Sequence, residues 1–247
     1  MKKFISLTLA IAMFFTLSTT AFAQKFSSNT YSSESNYEYI AEIAANTSLI
    51  DDEDLKDTLT TKTLDAIQSS DIKLNIPKTS YNFKNAQLAT VSGNQPVTSL
   101  TIPVADDSYS VLSNLTLIFG EHNDLISYSE FILTESEQNT FKMQIFSDDI
   151  KTYEEVTNLK YIANTEMNTW LSDIQEAYAN TGDIQTYGLN VPCFLAVSGA
   201  GATVSTLILK LCGAPCVLAP PACAVCLGGI IVVGGGSIIA AVTQCWE

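Results

Sequence analysis

Residues 111–147 read VLSNLTLIFGEHNDLISYSEFILTESEQNTFKMQIFS. Val111, Leu115, Leu117 and Phe119 fall at alternate positions around Ser113, the period of two that a strand needs to bury one face. Gly120–Asp124 is a run of turn formers between two long strand candidates. Glu135–Asn139 plays the same part before a third strand, in which Phe141, Met143 and Ile145 alternate with Lys142 and Gln144. Upstream, Leu100, Ile102 and Val104 repeat the alternation. Strands joined by such short turns must run antiparallel, so this stretch predicts an antiparallel meander.

Helical spacing appears on both sides of it. Asp51, Asp52, Glu53 and Asp54 stand where acids favour a helix start, and Leu55, Leu59, Ala66 and Ile67 form an apolar stripe after them. Earlier, Ser35 and Glu38 have the spacing of a capping box, with Tyr37, Ile40, Ala41 and Ala44 on one helical face. Later, Met167, Trp170, Leu171, Ile174 and Tyr178 keep a helical period until Gly182, where a helix would stop. The reading for residues 24–187 is an α+β domain, an antiparallel sheet with flanking helices over one face.

Charge divides the chain more sharply than pattern does. Of 247 residues, 12 are Lys, 26 are Asp or Glu and none is Arg, a net charge of −14 that disfavours nucleic acid as a partner. Residues 24–187 hold 9 Lys against 25 acids, so 9 − 25 = −16, and no Cys. After residue 187 come all six Cys, nine of the twelve Gly and four of the seven Pro, with Lys210 and Glu247 as the only charges.

No catalytic, cofactor or metal residues are assigned. The single His, His122, lies inside the Gly120–Asp124 turn with no Cys in its region, and reads as a solvated turn residue. The Asp51–Asp54 run fails as a calcium loop, because Lys56 and Lys62 occupy the places that need Gly and a bidentate Glu. Asp148 and Asp149 read as solvated neighbours rather than an acid and base pair. Cys212, Cys216, Cys223 and Cys226 have a zinc rival reading, but no polar second shell is visible. Gly228-Gly229 and Gly234-Gly235-Gly236 lack the Lys-Ser/Thr of a phosphate loop.

At the N-terminus, Lys2 and Lys3, the apolar run Phe4–Phe15 and the ending Ala21-Phe22-Ala23 describe a secretory signal peptide, residues 1–23, cut between Ala23 and Gln24 by signal peptidase. Export implies an oxidising compartment, so the six Cys read as disulfides. In residues 188–247 two apolar blocks, Phe194–Leu211 and Ala224–Thr243, flank a Cys-rich turn that Pro220-Pro221 bars from helix. That spacing predicts a disulfide-stapled apolar helical hairpin: Cys193 and Cys245 meet at its open end, while Cys212, Cys216, Cys223 and Cys226 form two bridges at its tip. Six Cys allow fifteen pairings, and the tip pairing stays open.

The 36 residues from Leu211 to Trp246 carry no charge at all, and small residues such as Ser198, Gly201, Ala202 and Ser205 suit close helix packing in an apolar medium. Two membrane readings follow. Ala224–Thr243 is about long enough to cross a bilayer as a fixed anchor, but no Lys or Arg follows it to hold a cytoplasmic end. The other reading is an exported, cross-linked apolar peptide that enters the membranes of other cells.

A signal peptide, a Cys-free domain and a tail containing LCGAPCVLAPPACAVCLGG, Leu211–Gly229, resemble the halocin-like, microhalocin-type bacteriocin precursors. The resemblance implies that the C-terminal module is released as an antimicrobial peptide and that the upstream domain takes part in self-immunity. The expectation is a secreted, non-enzymatic precursor without cofactor, cleaved within 180–191 by an unidentified processing protease. Its partners are the membrane of target bacteria and, within the chain, the contact of acidic domain with tail. The alternatives are a surface protein anchored by its tail, with the middle domain as a binding module, and, third, an exported hydrolase.

Overall fold

The computed structural model describes residues 47–91, 96–169 and 171–172. The signal peptide, the helix expected from Ser35, the later part of the Met167–Tyr178 helix and the whole Cys-rich tail, with its six Cys and both cleavage sites, lie outside the described residues.

Seven strands form one antiparallel sheet in sequence order. They are β1 (Thr47–Ile50), β2 (Gln87–Val91), β3 (Val97–Pro103), β4 (Asn114–Phe119), β5 (Leu125–Glu135), β6 (Thr140–Ser147) and β7 (Ile150–Lys160). Each pairs only with its neighbours in the chain, so the expected meander is present and longer than the alternation alone showed. The registers Leu88↔Leu100, Leu100↔Leu117 and Leu117↔Tyr128 put four large side chains in one row. Directly opposed residues share a face, and on this first face the row joins Ile102, Leu115, Phe119 and Ile132 in one buried cluster.

Helix α1 (Glu53–Gln68) lies over that cluster, contributing the fully buried Leu59, with Leu55, Ala66 and Ile67 packed beside it. The acidic run is its N-terminal cap: Asp52 is extended, φ −128°, and its carboxylate accepts the Leu55 N–H at 2.9 Å. The buried Thr63 hydroxyl donates to the Leu59 carbonyl at 2.8 Å, so a polar group in the packed face goes satisfied. Ser70, at φ 69°, turns the chain out of the helix, and the N–H groups of Asp71 and Ile72 close on the Ala66 carbonyl at 2.9 and 3.0 Å. The next segment covers the rest of the first face with Ile72, Ile76, Tyr81 and Ala86.

Two boundaries differ from the alternation. The strand expected from Val111 starts at Asn114, because the Ser113 hydroxyl takes the place of a backbone partner: it accepts the Leu133 N–H at 2.9 Å and donates to the Leu133 carbonyl at 3.2 Å. Val104 stands just past β3 in an isolated bridge with Tyr81. The turns are where expected. Asn123 at φ 59° closes Gly120–Asp124, and Asn139 at φ 55° closes the β5–β6 connection. Residues 164–169 are helical, as are 171–172, with Met167 and Leu171 buried.

Candidate functional site

The most unusual buried group is Glu130, at the middle of β5 and 0% exposed. Register places it opposite Leu115, on the first face. Its carboxylate accepts the Asn75 N–H at 2.8 Å, the Asn75 side-chain amide at 2.7 Å, the Ile76 N–H at 3.1 Å and the Tyr81 hydroxyl at 2.6 Å. Burial, and next the adjacent Glu130 charge, push the Tyr81 hydroxyl far above the usual phenol range, so it stays a donor. An anion taken out of water must be repaid by such donors. With both oxygens occupied and no surface exposed, Glu130 is a strut that fixes the segment 75–81 across the sheet. Nothing in the sequence reading picked it out. The available signal was parity: Glu130 alternates with Tyr128 and Ile132, both core residues.

The residues weighed for chemistry are apart from one another and differently employed. His122 is exposed in the β4–β5 turn. Asp148 and Asp149 form a two-residue hairpin turn between β6 and β7, with φ 49° and 69°. The Asp148 carboxylate accepts the Tyr128 N–H at 3.0 Å, and Asp149 pairs with Lys73 at 2.8 Å. A cleft of about 610 Å³ opens beside the start of α1, lined among others by Lys56, Lys84, Asp51 and Asp52; Lys56 is held by Glu53 at 2.5 Å. Among the described residues, no group of three or more His, Cys, Asp and Glu stands close enough to hold a metal ion. Among them, too, no helix is long and apolar enough to cross a membrane.

The second face of the sheet is buried as well. On β5 and β6 it is apolar: Phe131, Leu133, Phe141, Met143 and Ile145 are at most 2% exposed. Tyr161 leans on Phe141 with ring centroids 4.9 Å apart, and Asn164 ties the 164–169 helix to this end by accepting the Val111 N–H and donating to the Tyr109 carbonyl, each at 2.9 Å. From β2 to β5 the same face is small and polar. Ala89 opposes Ser99, Ser99 opposes Ile118, and Thr101 opposes Thr116, which opposes Ser129.

These polar atoms bond among themselves. The Thr101 and Thr116 hydroxyls meet at 2.9 Å, Thr116 donates to the Asn114 side-chain carbonyl at 2.9 Å, and the Asn114 amide donates to the Leu112 carbonyl at 3.1 Å. Ser99 donates to the Ala89 carbonyl at 3.3 Å, and Ser129 to Ser147 at 3.1 Å. No charged side chain interrupts this strip, and the hydroxyls of Ser99, Thr101, Thr116 and Ser129 are bonded within the sheet.

The chain matches no family model, no curated protein and no solved structure. The arrangement is therefore interpreted from its own chemistry.

Proposed function

We propose that this chain is a secreted bacteriocin precursor. Residues 188–247 are a disulfide-closed apolar module that, once released, perturbs the membranes of competing bacteria, and the acidic region before it keeps that module soluble and inactive or protects the producer. The resemblance to the halocin-like precursors supports the reading by layout. The observation that carries it is the 36-residue uncharged run Leu211–Trp246, rich in Cys, placed behind a signal peptide and a region of net −16.

Charge pairing cannot hold such a tail, because the tail has no net charge to pair. Burial of its apolar surface is the available force, at about 25 cal/mol for each Å² removed from water. The sheet supports this role in a general way: it is a Cys-free scaffold whose central strands are buried on both faces, so it folds without the oxidation the tail requires.

Mass spectrometry of the producer's culture fluid, with and without reductant, tests the reading. The expected species is a fragment of about sixty residues, six hydrogens lighter before reduction than after, as three bridges from six Cys require. Full-length protein confined to the membrane fraction would instead favour the anchored surface protein, whose support is the apolar block Ala224–Thr243.

A further inference from the structure

Strand β7 is the last in the sheet, eleven residues long, and among the described residues no strand pairs with its outer side. Eight of the eleven are exposed, so this edge stands open to solvent. The opposite edge, β1, has only four residues. An open edge about 36 Å long presents a row of backbone N–H and C=O groups to which a second chain can add as a further strand.

Two register shifts limit that edge. Tyr153 pairs with Ile145 but Lys151 with Phe146, which leaves Thr152 over; Val156 pairs with Lys142 and Lys160 with Thr140, four steps on β7 against two on β6. Such bulges bend and twist a strand. The regular run between them is Tyr153–Val156, with Glu154 and Glu155 at its middle. Consecutive residues point to opposite faces, so each face of the run carries one carboxylate. Both are held in place. Lys142 and Lys151 bind Glu154 at 2.9 and 2.5 Å, and the Tyr153 hydroxyl donates to Glu155.

We propose that Glu154 and Glu155 guard this edge against the β7 of a second copy of the chain. Two copies that pair antiparallel through the run have two centred registers that keep opposed residues on one face. One sets Glu154 against its own counterpart, and the other sets Glu155 against its own. Like charges directly opposite one another destabilise a strand pair. Lys142 and Lys151 offset Glu154 within each copy, whereas Glu155 has a neutral hydroxyl beside it, so Glu155 is the stronger of the two guards. Beyond the run the bulges break any continuation. The chain's net charge of −14 adds a repulsion that salt screens over about 8 Å, so the local opposition decides at short range. The inference stands apart from the precursor reading.

The test is photocrosslinking in the oxidised full-length chain, with isotopically heavy and light copies mixed. Benzoylphenylalanine replaces Val156, which is 47% exposed, both in the parent sequence and in one carrying Glu154→Thr and Glu155→Thr. Adducts that join residues 150–160 of two copies are expected to rise at least about fivefold in the double variant, the factor that relief of one opposed pair represents. If circular dichroism shows the double variant unfolded, Glu155→Lys alone decides the matter, since it leaves the Glu154 ion pairs intact. Heavy Glu155→Lys chains mixed with light parent chains should then give more adducts at 150–160 between unlike copies than between like ones. No gain at 150–160 from a folded variant overturns the guard, wherever else adducts form. A parent chain already cross-linked there as heavily as the variant overturns it too.

Discussion

Glu130 shows how much one side chain can organise. Replacing it with Gln turns one oxygen into an N–H donor that faces the Asn75 N–H and amide across 2.8 and 2.7 Å. Glu130→Gln is therefore expected to cost about 2–4 kcal/mol in denaturant unfolding. Tyr81→Phe removes one charge-assisted bond from the same carboxylate and should cost about 1.5–3 kcal/mol. An unchanged midpoint for Glu130→Gln would mean the four donors are not holding a charge.

On the solvent side, hydrogen bonds from Lys151 and then Lys142 hold Glu154 well below its ordinary value of 4.5, at about 2. A lowered folded value means that the carboxylate favours folding above about pH 4.5 and that this contribution disappears as pH falls through about 2. Carboxyl carbon chemical shifts should place the Glu154 titration near that lower value. Glu154→Gln should melt below the parent at neutral pH and converge with it near pH 2.

Among the elements, the β6–β7 hairpin offers the clearest trial. Asp149 holds a left-handed conformation, φ 69°, that costs an L residue about 1 kcal/mol and glycine nothing, while its ion pair with Lys73 is solvent-exposed and worth little. Asp149→Gly should raise the unfolding free energy by about 0.5–1 kcal/mol. Asp148→Gly should gain less or lose, because it also gives up the bond from the Tyr128 N–H. At the start of α1, Asp52→Ala should cost about 1 kcal/mol through loss of the cap.

What could be read in advance follows the same physics. β4, β5 and β6 were legible because one or both faces are buried and the chemistry alternates accordingly. β7 was not: most of it is exposed on both faces, so Lys151, Glu154 and Glu155 blur any period. β1 spans only Thr47–Ile50, too short to establish one, and β2 sits between loops with a single large core residue, Leu88. Glu130 was invisible as a site because its donors lie 49 to 55 residues earlier in the chain. Asp148 and Asp149 look like any exposed acid pair until the backbone angles are known.

For the whole molecule, the prediction concerns what happens on cutting. The intact oxidised chain should release little dye from phosphatidylglycerol vesicles, and cleavage within 180–191 should raise release at least about tenfold, since a barrier of only about 1.4 kcal/mol already corresponds to that factor. Equal release before and after cleavage would mean that the upstream region does not restrain the tail. If release stays absent after cleavage, membrane perturbation by the tail is excluded in those lipids.

The order of the strands has an outcome in time as well as in space. Every pairing in the sheet joins a strand to the one before it in the chain, and from β2 onward the connections are short, so assembly can proceed strand by strand as the polypeptide emerges from its N-terminal end. By the moment the residues after Lys160 arrive, all seven strands already have their partners.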